Sequence, residues 1–158
     1  MYMNSLTKFK LLIVLTLFFV SAQSQEKYNE EYQIAKINEA LKGAFYSTKD
    51  LFRSELKIEN NNLLVQTIRN RDNFAMTYTI PINKVDIESM NVGKDKTRYS
   101  VKKPKTYQIN IKSVNKERVI THSAFKNSKY SALKIVINSK EKGNNIIDLI
   151  RTLVQNHN

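Results

Sequence analysis

Residues 52–59 have the sequence Phe-Arg-Ser-Glu-Leu-Lys-Ile-Glu, which alternates between two kinds of side chain. Phenylalanine, serine, leucine and isoleucine fall on one face of an extended chain, and the four charged residues fall on the other. This alternation predicts a β-strand with one face in water. Asn60, Asn61 and Asn62 follow, and asparagine adopts the left-handed conformation of tight turns readily. Because residues 63–69 then return as a second strand, the sequence predicts a β-hairpin.

Working outward, the same analysis predicts five more strands and a helix at each end. The strands cover residues 74–80, 85–92, 107–112, 118–123 and 132–138. Apolar residues at spacings of three and four predict a helix over residues 27–46. A second helix carries an apolar stripe at Ile146, Leu149, Ile150 and Leu153, with Asn144 or Asn145 as its N-cap.

Seven short strands in hairpins cannot all bury both faces, so they must curl over a shared core. The prediction is therefore an α+β fold, a seven-stranded antiparallel sandwich or partial barrel whose open end the last helix plugs. The first helix is an addition to this arrangement. No internal repeat or low-complexity linker divides the chain.

The first 24 residues have the organisation of a secretory signal peptide. Two lysines precede a run at residues 11–20 that is apolar except for one threonine, and small residues stand at Ala22 and Ser24. Cleavage after Ser24 would release a chain that starts at Gln25, and cleavage after Ala22 is an alternative. A retained anchor is a further alternative, but the run is shorter than the roughly 20 apolar residues that span a bilayer. We predict export, with no transmembrane segment after cleavage.

The residue counts exclude several chemistries. The chain has no cysteine, three glycines and two histidines. It therefore forms no disulfide, thiol nucleophile or Cys-based metal site, and it lacks the closely spaced glycines of phosphate-binding loops. No His-Glu-x-x-His or Gly-x-Ser-x-Gly motif occurs.

The histidine in the middle of the chain, His122, is the one candidate for a catalytic base. It could pair with Ser123 or Ser128, but neighbours on a strand point to opposite faces, so His122 and Ser123 cannot easily meet. The carboxylate pairs on the strands lie on wet or lysine-rich faces. We therefore predict a non-enzymatic protein without cofactor or metal, and keep an enzyme with an unrecognised site around His122 as the alternative.

The positive charge is concentrated in one segment. Two of the 26 basic residues lie in the signal peptide, so 24 basic and 14 acidic residues remain, a net charge of +10. Residues 94–134 hold twelve basic residues against Asp95 and Glu117, which is also +10, so the rest of the mature chain is neutral. We call residues 94–134 the basic segment. Such asymmetry points to an anionic partner more than a high isoelectric point does.

Three interpretations of the basic segment stay open. It is a solvated lysine-rich face, a contact for anionic lipid or glycan, or a nucleic-acid surface with Tyr99, Tyr107 and Tyr130 as stacking groups. Export disfavours nucleic acid, and the excess of lysine over arginine favours diffuse attraction over bidentate recognition. The predicted contact residues, all in or next to the loop before the fifth strand, are Lys94, Lys96, Arg98, Lys102, Lys103 and Lys105.

The order of strands and the C-terminal helix resembles the pleckstrin-homology-like (PH/GRAM-like) superfold. The stretch at residues 78–90, Tyr-Thr-Ile-Pro-Ile-Asn-Lys-Val-Asp-Ile-Glu-Ser-Met, is similar to the turn that such sheets share. The resemblance covers about residues 51–156 and implies four strands, then three, then the helix. Phosphoinositide-binding members use cations near the first hairpin loop. That loop has none here, so no lipid-binding residue is carried over.

The resulting prediction has three parts along the chain: a signal peptide at residues 1–24, an N-terminal helix at 25–47 and a PH-like domain at 48–158. The ending Ser-Ala-Gln-Ser-Gln at residues 21–25 resembles signal peptides of Bacteroidetes-type bacteria, which implies a Gram-negative source. We predict a periplasmic or secreted binding or scaffold module that contacts an anionic lipid, a glycan or an envelope protein. A secreted effector or polyanion-binding protein is a further alternative.

Overall fold

The structure is a computed structural model that describes residues 29–42, 52–94, 106–125 and 127–157. The predicted signal peptide and the ends of the predicted first helix lie outside these residues. The chain divides into two compact units, residues 1–33 and residues 34–158. In the first unit, the amide of Gln33 donates a hydrogen bond to Asn29 Oδ1 at 3.3 Å, one helical turn away.

The described residues form two α-helices, eight strands and two single turns of 3₁₀-helix. The first helix, α1, covers residues 29–42, and the second, α2, covers Lys140–His157. The strands are β1 (Phe52–Glu59), β2 (Asn62–Arg69), β3 (Phe74–Pro81), β4 (Val85–Lys94), β5 (Tyr107–Ser113), β6 (Ile120–His122), β7 (Lys129–Tyr130) and β8 (Ala132–Ile137). The 3₁₀ turns are Ile82–Lys84 and Val114–Lys116.

The predicted first hairpin is confirmed. Glu59 pairs with Asn62, so the loop between β1 and β2 consists of Asn60 and Asn61 alone. Both residues have positive φ angles, 51° and 58°. A two-residue loop with this backbone follows the right-handed twist of the strands, and asparagine tolerates it better than a branched residue would. The loop carbonyl of Asn61 also accepts the amide of Ile82 at 2.9 Å, which ties the hairpin to the corner after β3.

The strands form two antiparallel sheets, and their pairing corrects the prediction. The first sheet has the order β1-β2-β3-β6-β7 and the second the order β4-β5-β8. Two antiparallel sheets with two helices confirm the α+β class. The count of seven strands is wrong, because β7 adds two residues beside β6. A division into four strands and then three is also wrong: β4 pairs with β5, and β3 pairs with β6.

The core lies between the two sheets, and both helices contribute to it. Each sheet turns alternate residues inward, for example Leu56 and Val65 from the first sheet and Ile109 and Ile135 from the second. The predicted stripe of α2 is largely confirmed, since Ile146, Ile150 and Leu153 are buried in this cluster while Leu149 packs partly buried against it. Helix α1 adds Ile37 and Leu41, which are also buried.

Helix α2 begins one turn before the predicted N-cap. The sequence prediction placed the cap at Asn144 or Asn145, whereas the helix starts at Lys140. Ser139 acts as the cap, because its hydroxyl accepts the amide of Lys142 at 3.3 Å. The preference of asparagine for the N-cap position explains the error. Gly143 lies one turn into the helix, although glycine disfavours helix interiors. Glycine is needed at position 143 for steric reasons, since a β-carbon there would lie 2.3 Å from Ile137 Cδ1 and 2.8 Å from Val92 Cγ2.

Further along, α2 is fixed to an irregular part of β4. The pairing of β4 with β5 is interrupted between Asp86 and Asn91. Arg151 donates from Nε to the carbonyl of Ile87 at 3.0 Å and from Nη2 to that of Met90 at 3.3 Å. One guanidinium therefore satisfies two carbonyls that the interrupted ladder leaves without a strand partner.

Helix α1 covers the outer edge of β1 through a single side chain. The amide of Asn38 donates to the carbonyl of Leu56 at 3.0 Å, and its Oδ1 accepts the Leu56 amide at 2.7 Å. A side-chain amide that both donates and accepts in this way makes the same hydrogen bonds as a peptide group on a neighbouring strand. Asn38 thus pairs with β1 as one residue of an additional strand would.

We expect Gly143→Ala to destabilise the protein even though alanine is the better helix former. The added methyl group meets Val92, whose two γ-carbons both lie close, so the clash cannot be removed by rotation. Overpacking outweighs the gain in propensity, and the expected loss in free energy of unfolding is about 1–2 kcal/mol. Urea denaturation measures it. The exposed position Asn145→Ala is the control and should leave stability equal or higher; a stabilised Gly143→Ala would contradict the packing described.

We expect Asn38→Ala to cost about 1–3 kcal/mol, because the backbone amide and carbonyl of Leu56 both lose their partner. Hydrogen exchange offers a local readout, since the Leu56 amide should lose protection while that of Val65 on β2 keeps it. Glu39→Ala, at an exposed neighbouring position, serves as the control. Unchanged protection at Leu56 would show that Asn38 does not close this edge.

Candidate functional site

One of the six predicted contact residues can be placed. Lys94 is the last residue of β4, exposed and opposite Tyr107 at the start of β5. The other five, Lys96, Arg98, Lys102, Lys103 and Lys105, lie outside the described residues. Because β4 and β5 pair side by side up to this point, Lys94 and Tyr107 lie together at one end of the second sheet.

The described cations of the basic segment have no acidic partners among the described residues. Lys84, which lies before the segment, forms an ion pair with Glu117 at 3.0 Å. Among the described residues, Glu117 therefore forms no ion pair with a cation of the segment itself. Arg118 instead donates Nε to the carbonyl of Lys129 at 2.9 Å, which joins the ends of β6 and β7. In the part of the segment that the structure describes, no ion pair involves Lys94, Lys112, Lys116, Lys129 or Lys134.

Two of these lysines share the outer face of the second sheet. Lys134 on β8 lies opposite Asn110, and Lys112, two residues along β5, lies opposite Ala132. The two lysines are therefore diagonal neighbours on one face, at a spacing of roughly 7–8 Å between backbones. The buried residues Ile109, Ile111 and Ile135 alternate with them and point the other way.

Side-chain amides surround these lysines. Asn110 Nδ2 donates to Asn91 Oδ1 across the β4–β5 pair at 2.9 Å, and Gln108 lies next to Gly93 in the following row. Asp86 is the acidic residue opposite Lys112 in register. Its Oδ1 accepts the amide of Ser89 at 3.1 Å, and no ion pair joins it to Lys112. The face thus combines cations with hydrogen-bonding amides, a composition suited to anionic groups.

His122, the alternative catalytic residue, lies in an aromatic cluster. It is buried on β6, with its ring centroid 4.4 Å from that of Tyr78 and 5.2 Å from that of Phe125. Tyr130 extends the cluster from β7, 6.3 Å from Tyr78. Strand pairing creates this arrangement, because Tyr78 is the register partner of His122. Sequence reasoning did not find it, since Tyr78 and His122 are far apart in the chain.

The ring of His122 has a hydrogen bond to the main chain. Nδ1 of His122 accepts a hydrogen bond from the backbone amide of Ala124 at 3.2 Å. The hydroxyl of Ser123 accepts the Thr77 amide at 2.9 Å on the other side of the strand. No carboxylate pairs with His122 in the described ranges, and none of them contains a group of three or more possible metal ligands.

No protein-family model, no curated protein and no solved structure matches the chain. No helix in the described part of the chain is long and apolar enough to cross a membrane.

The burial of Tyr78 predicts a loss of stability in alkaline solution. Desolvation, with a smaller contribution from the charge of Tyr130, raises the pKa of Tyr78 above its ordinary value of 10.0. The Tyr78 phenol therefore ionises at a lower pH in the unfolded chain than in the folded protein. The stability that the protonated Tyr78 contributes is present below pH 10 and is lost as the pH rises through the folded pKa.

Urea denaturation at pH 8 and at pH 10.5 tests this expectation with Tyr78→Phe beside the unmodified protein. The phenylalanine variant should lose less stability between the two pH values, since it has no phenol to ionise. Other groups that ionise in this range affect both proteins alike. Equal losses in both would contradict the role given to Tyr78.

Proposed function

We propose that this protein is an exported, non-enzymatic binding module of the envelope of a Gram-negative bacterium. It contacts an anionic envelope component or a protein partner through its basic segment, from the periplasm or outside the cell. Lys94, Lys96, Arg98, Lys102, Lys103 and Lys105 are the proposed contact residues. The proposal includes no cofactor and no catalysis at His122, whose ring contacts aromatic groups and a backbone amide in the described residues.

One observation carries the proposal: within the described residues, the cations of the basic segment have no acidic partner. Its described lysines form no ion pairs, and Glu117 is held by Lys84 outside the segment. A surface that served only solubility would work as well with both signs interspersed. Concentrated charge of one sign instead produces a field that attracts anionic partners and that salt weakens.

The fold supports a PH-like assignment in part, and we keep that assignment as a proposal. An amphipathic C-terminal helix closes a two-sheet antiparallel structure, as the resemblance implies. The strand order differs, because β4 belongs to the second sheet and β6 completes the first. A fold of this kind would not by itself fix the function, so the binding proposal rests on charge rather than on the fold.

We expect the mature protein, residues 25–158, to bind vesicles of anionic lipid and not vesicles of neutral lipid, with binding lost at high salt. Neutralising the six proposed contact residues to glutamine should weaken binding by more than about 100-fold, since each cation near an anionic surface contributes about 1 kcal/mol. Co-sedimentation at low and high salt measures the binding.

The chain offers a control variant with the same change in net charge. Six exposed cations outside the basic segment can be replaced by glutamine: Lys36, Lys42, Lys57, Arg71, Lys140 and Lys142. This control should keep at least a tenth of the affinity of the unmodified protein. If both variants lost affinity equally, net charge rather than the segment would be responsible. Unaltered binding by the first variant would refute the proposed contact residues.

A further inference from the structure

In the described residues the two sheets together have four edges, and three of them are partly covered, interrupted or short. β1 is covered at Leu56 by both hydrogen bonds of Asn38. β4 is interrupted between Asp86 and Asn91, and Arg151 occupies two of its carbonyls. β7 is two residues long. Interruption, covering and shortness are the usual means by which proteins prevent unwanted strand pairing.

Among the described residues, the fourth edge, β8, is neither covered nor interrupted nor short. It is a regular strand of six residues, Ala132–Ile137, paired on one side with β5 without a register shift. Helix α2 begins beside Ile137 and Val92, and Arg151 brings its later turns to β4, so the helix runs away from the β8 edge. No backbone group of β8 bonds to anything but β5 within the described ranges.

The register of the β5–β8 pairing shows which backbone amides and carbonyls of β8 point away from β5. The amide of Ser113 donates to the carbonyl of Ser131 at 3.0 Å, and these residues continue the β5–β8 pairing by one position. Hydrogen-bonded pairs alternate along an antiparallel ladder. Residues 133, 135 and 137 therefore bond to β5, and the free amides and carbonyls belong to Ala132, Lys134 and Val136.

The side chains of the same three residues point to the outer face of the second sheet, where all three are exposed. Lys134 stands in the middle of the edge, with Lys112 as its diagonal neighbour. A strand added here would place alternate side chains beside Lys134. An acidic residue at that position gains a cross-strand ion pair, whereas a basic one is repelled.

We propose that the β8 edge binds an extended acidic segment of another protein, which adds to the second sheet as a fourth strand. The main chain of residues 132–136 supplies the hydrogen bonds, and Lys134 with Lys112 selects the charge. This inference rests on the proposed function, a module that binds anionic partners. It deepens that function, because it names an acidic protein segment as the partner and the β8 edge, outside the six proposed contact residues, as its binding site.

A second copy of this chain fits the edge less well. The mature chain carries +10, so two copies repel each other. Pairing β8 with its own copy about a two-fold axis at residue 134 sets Lys134 opposite Lys134. The acidic segment meets no such repulsion.

The test uses the mature protein and three fluorescein-labelled heptapeptides, followed by fluorescence anisotropy. The first alternates valine with glutamate, the second alternates valine with lysine, and the third is the first with proline at its central position. We expect the acidic peptide to bind at least tenfold more tightly than either of the others. Lys134→Glu should reverse the preference between the first two, while the exposed control Lys57→Glu should keep it.

Hydrogen exchange locates the peptide. In the free protein the amides of Lys134 and Val136 should exchange faster than those of Leu133 and Ile135, and the acidic peptide should protect them. Val136→Pro removes an outward amide without touching the ladder to β5 and should abolish binding. If that variant fails to fold, Lys134→Glu still decides the question.

Three results would overturn the inference: no preference for the acidic peptide, binding without protection of Lys134 and Val136, or protection already present in a free dimer found by sedimentation. The last would make a second copy the occupant. Vesicle binding, measured on the same samples, separates the two proposals. If the acidic peptide does not bind while vesicle binding is intact, only the proposal for the β8 edge is refuted. If the peptide binds and the vesicles do not, only the proposed contact at the six basic residues is refuted.

Discussion

The close approach of α2 to the second sheet is the contact on which the rest of the structure depends. Gly143 lets the helix backbone come within reach of Ile137 and Val92, where no larger residue fits. From that point the helix covers the inner side of the sheet and buries its stripe against both sheets. Arg151 then fixes β4 at Ile87 and Met90. The position of β4 determines where Lys94 lies at the end of the sheet.

Local patterns were sufficient to predict most of the elements but not their neighbours. The alternation in residues 52–59 and the three asparagines predicted β1, its turn and β2, because side-chain faces and turn conformations are local properties. The pairing of β3 with β6 is not local: a period of two specifies which face is buried, and not which strand lies alongside. β7 escaped prediction because two residues have no period. The start of α2 was misplaced because asparagine is a common N-cap residue, whereas Ser139 caps the helix.

The candidate site also has features that the sequence predicts and features that depend on the fold. Charge is additive along a sequence, so the concentration of cations at residues 94–134 could be read directly. Which acid neutralises which base depends on contacts, and the pairing of Glu117 with Lys84 was not predicted. The aromatic surroundings of His122 were also missed, since Tyr78 reaches it only through the β3–β6 pairing. The open edge of β8 required the register of the entire second sheet.

The pairing of Tyr78 with His122 joins residues 44 positions apart, and the whole β4–β5 hairpin lies between them. A ribosome delivers β1, β2 and β3 first, and they can form a meander at once. The far side of β3 then has no neighbour until β6 has been made. Contacts of such long range slow folding, and an unpaired strand is prone to wrong association while it waits. The order in which the chain is made therefore leaves the first sheet incomplete for most of the time that the protein needs to be synthesised.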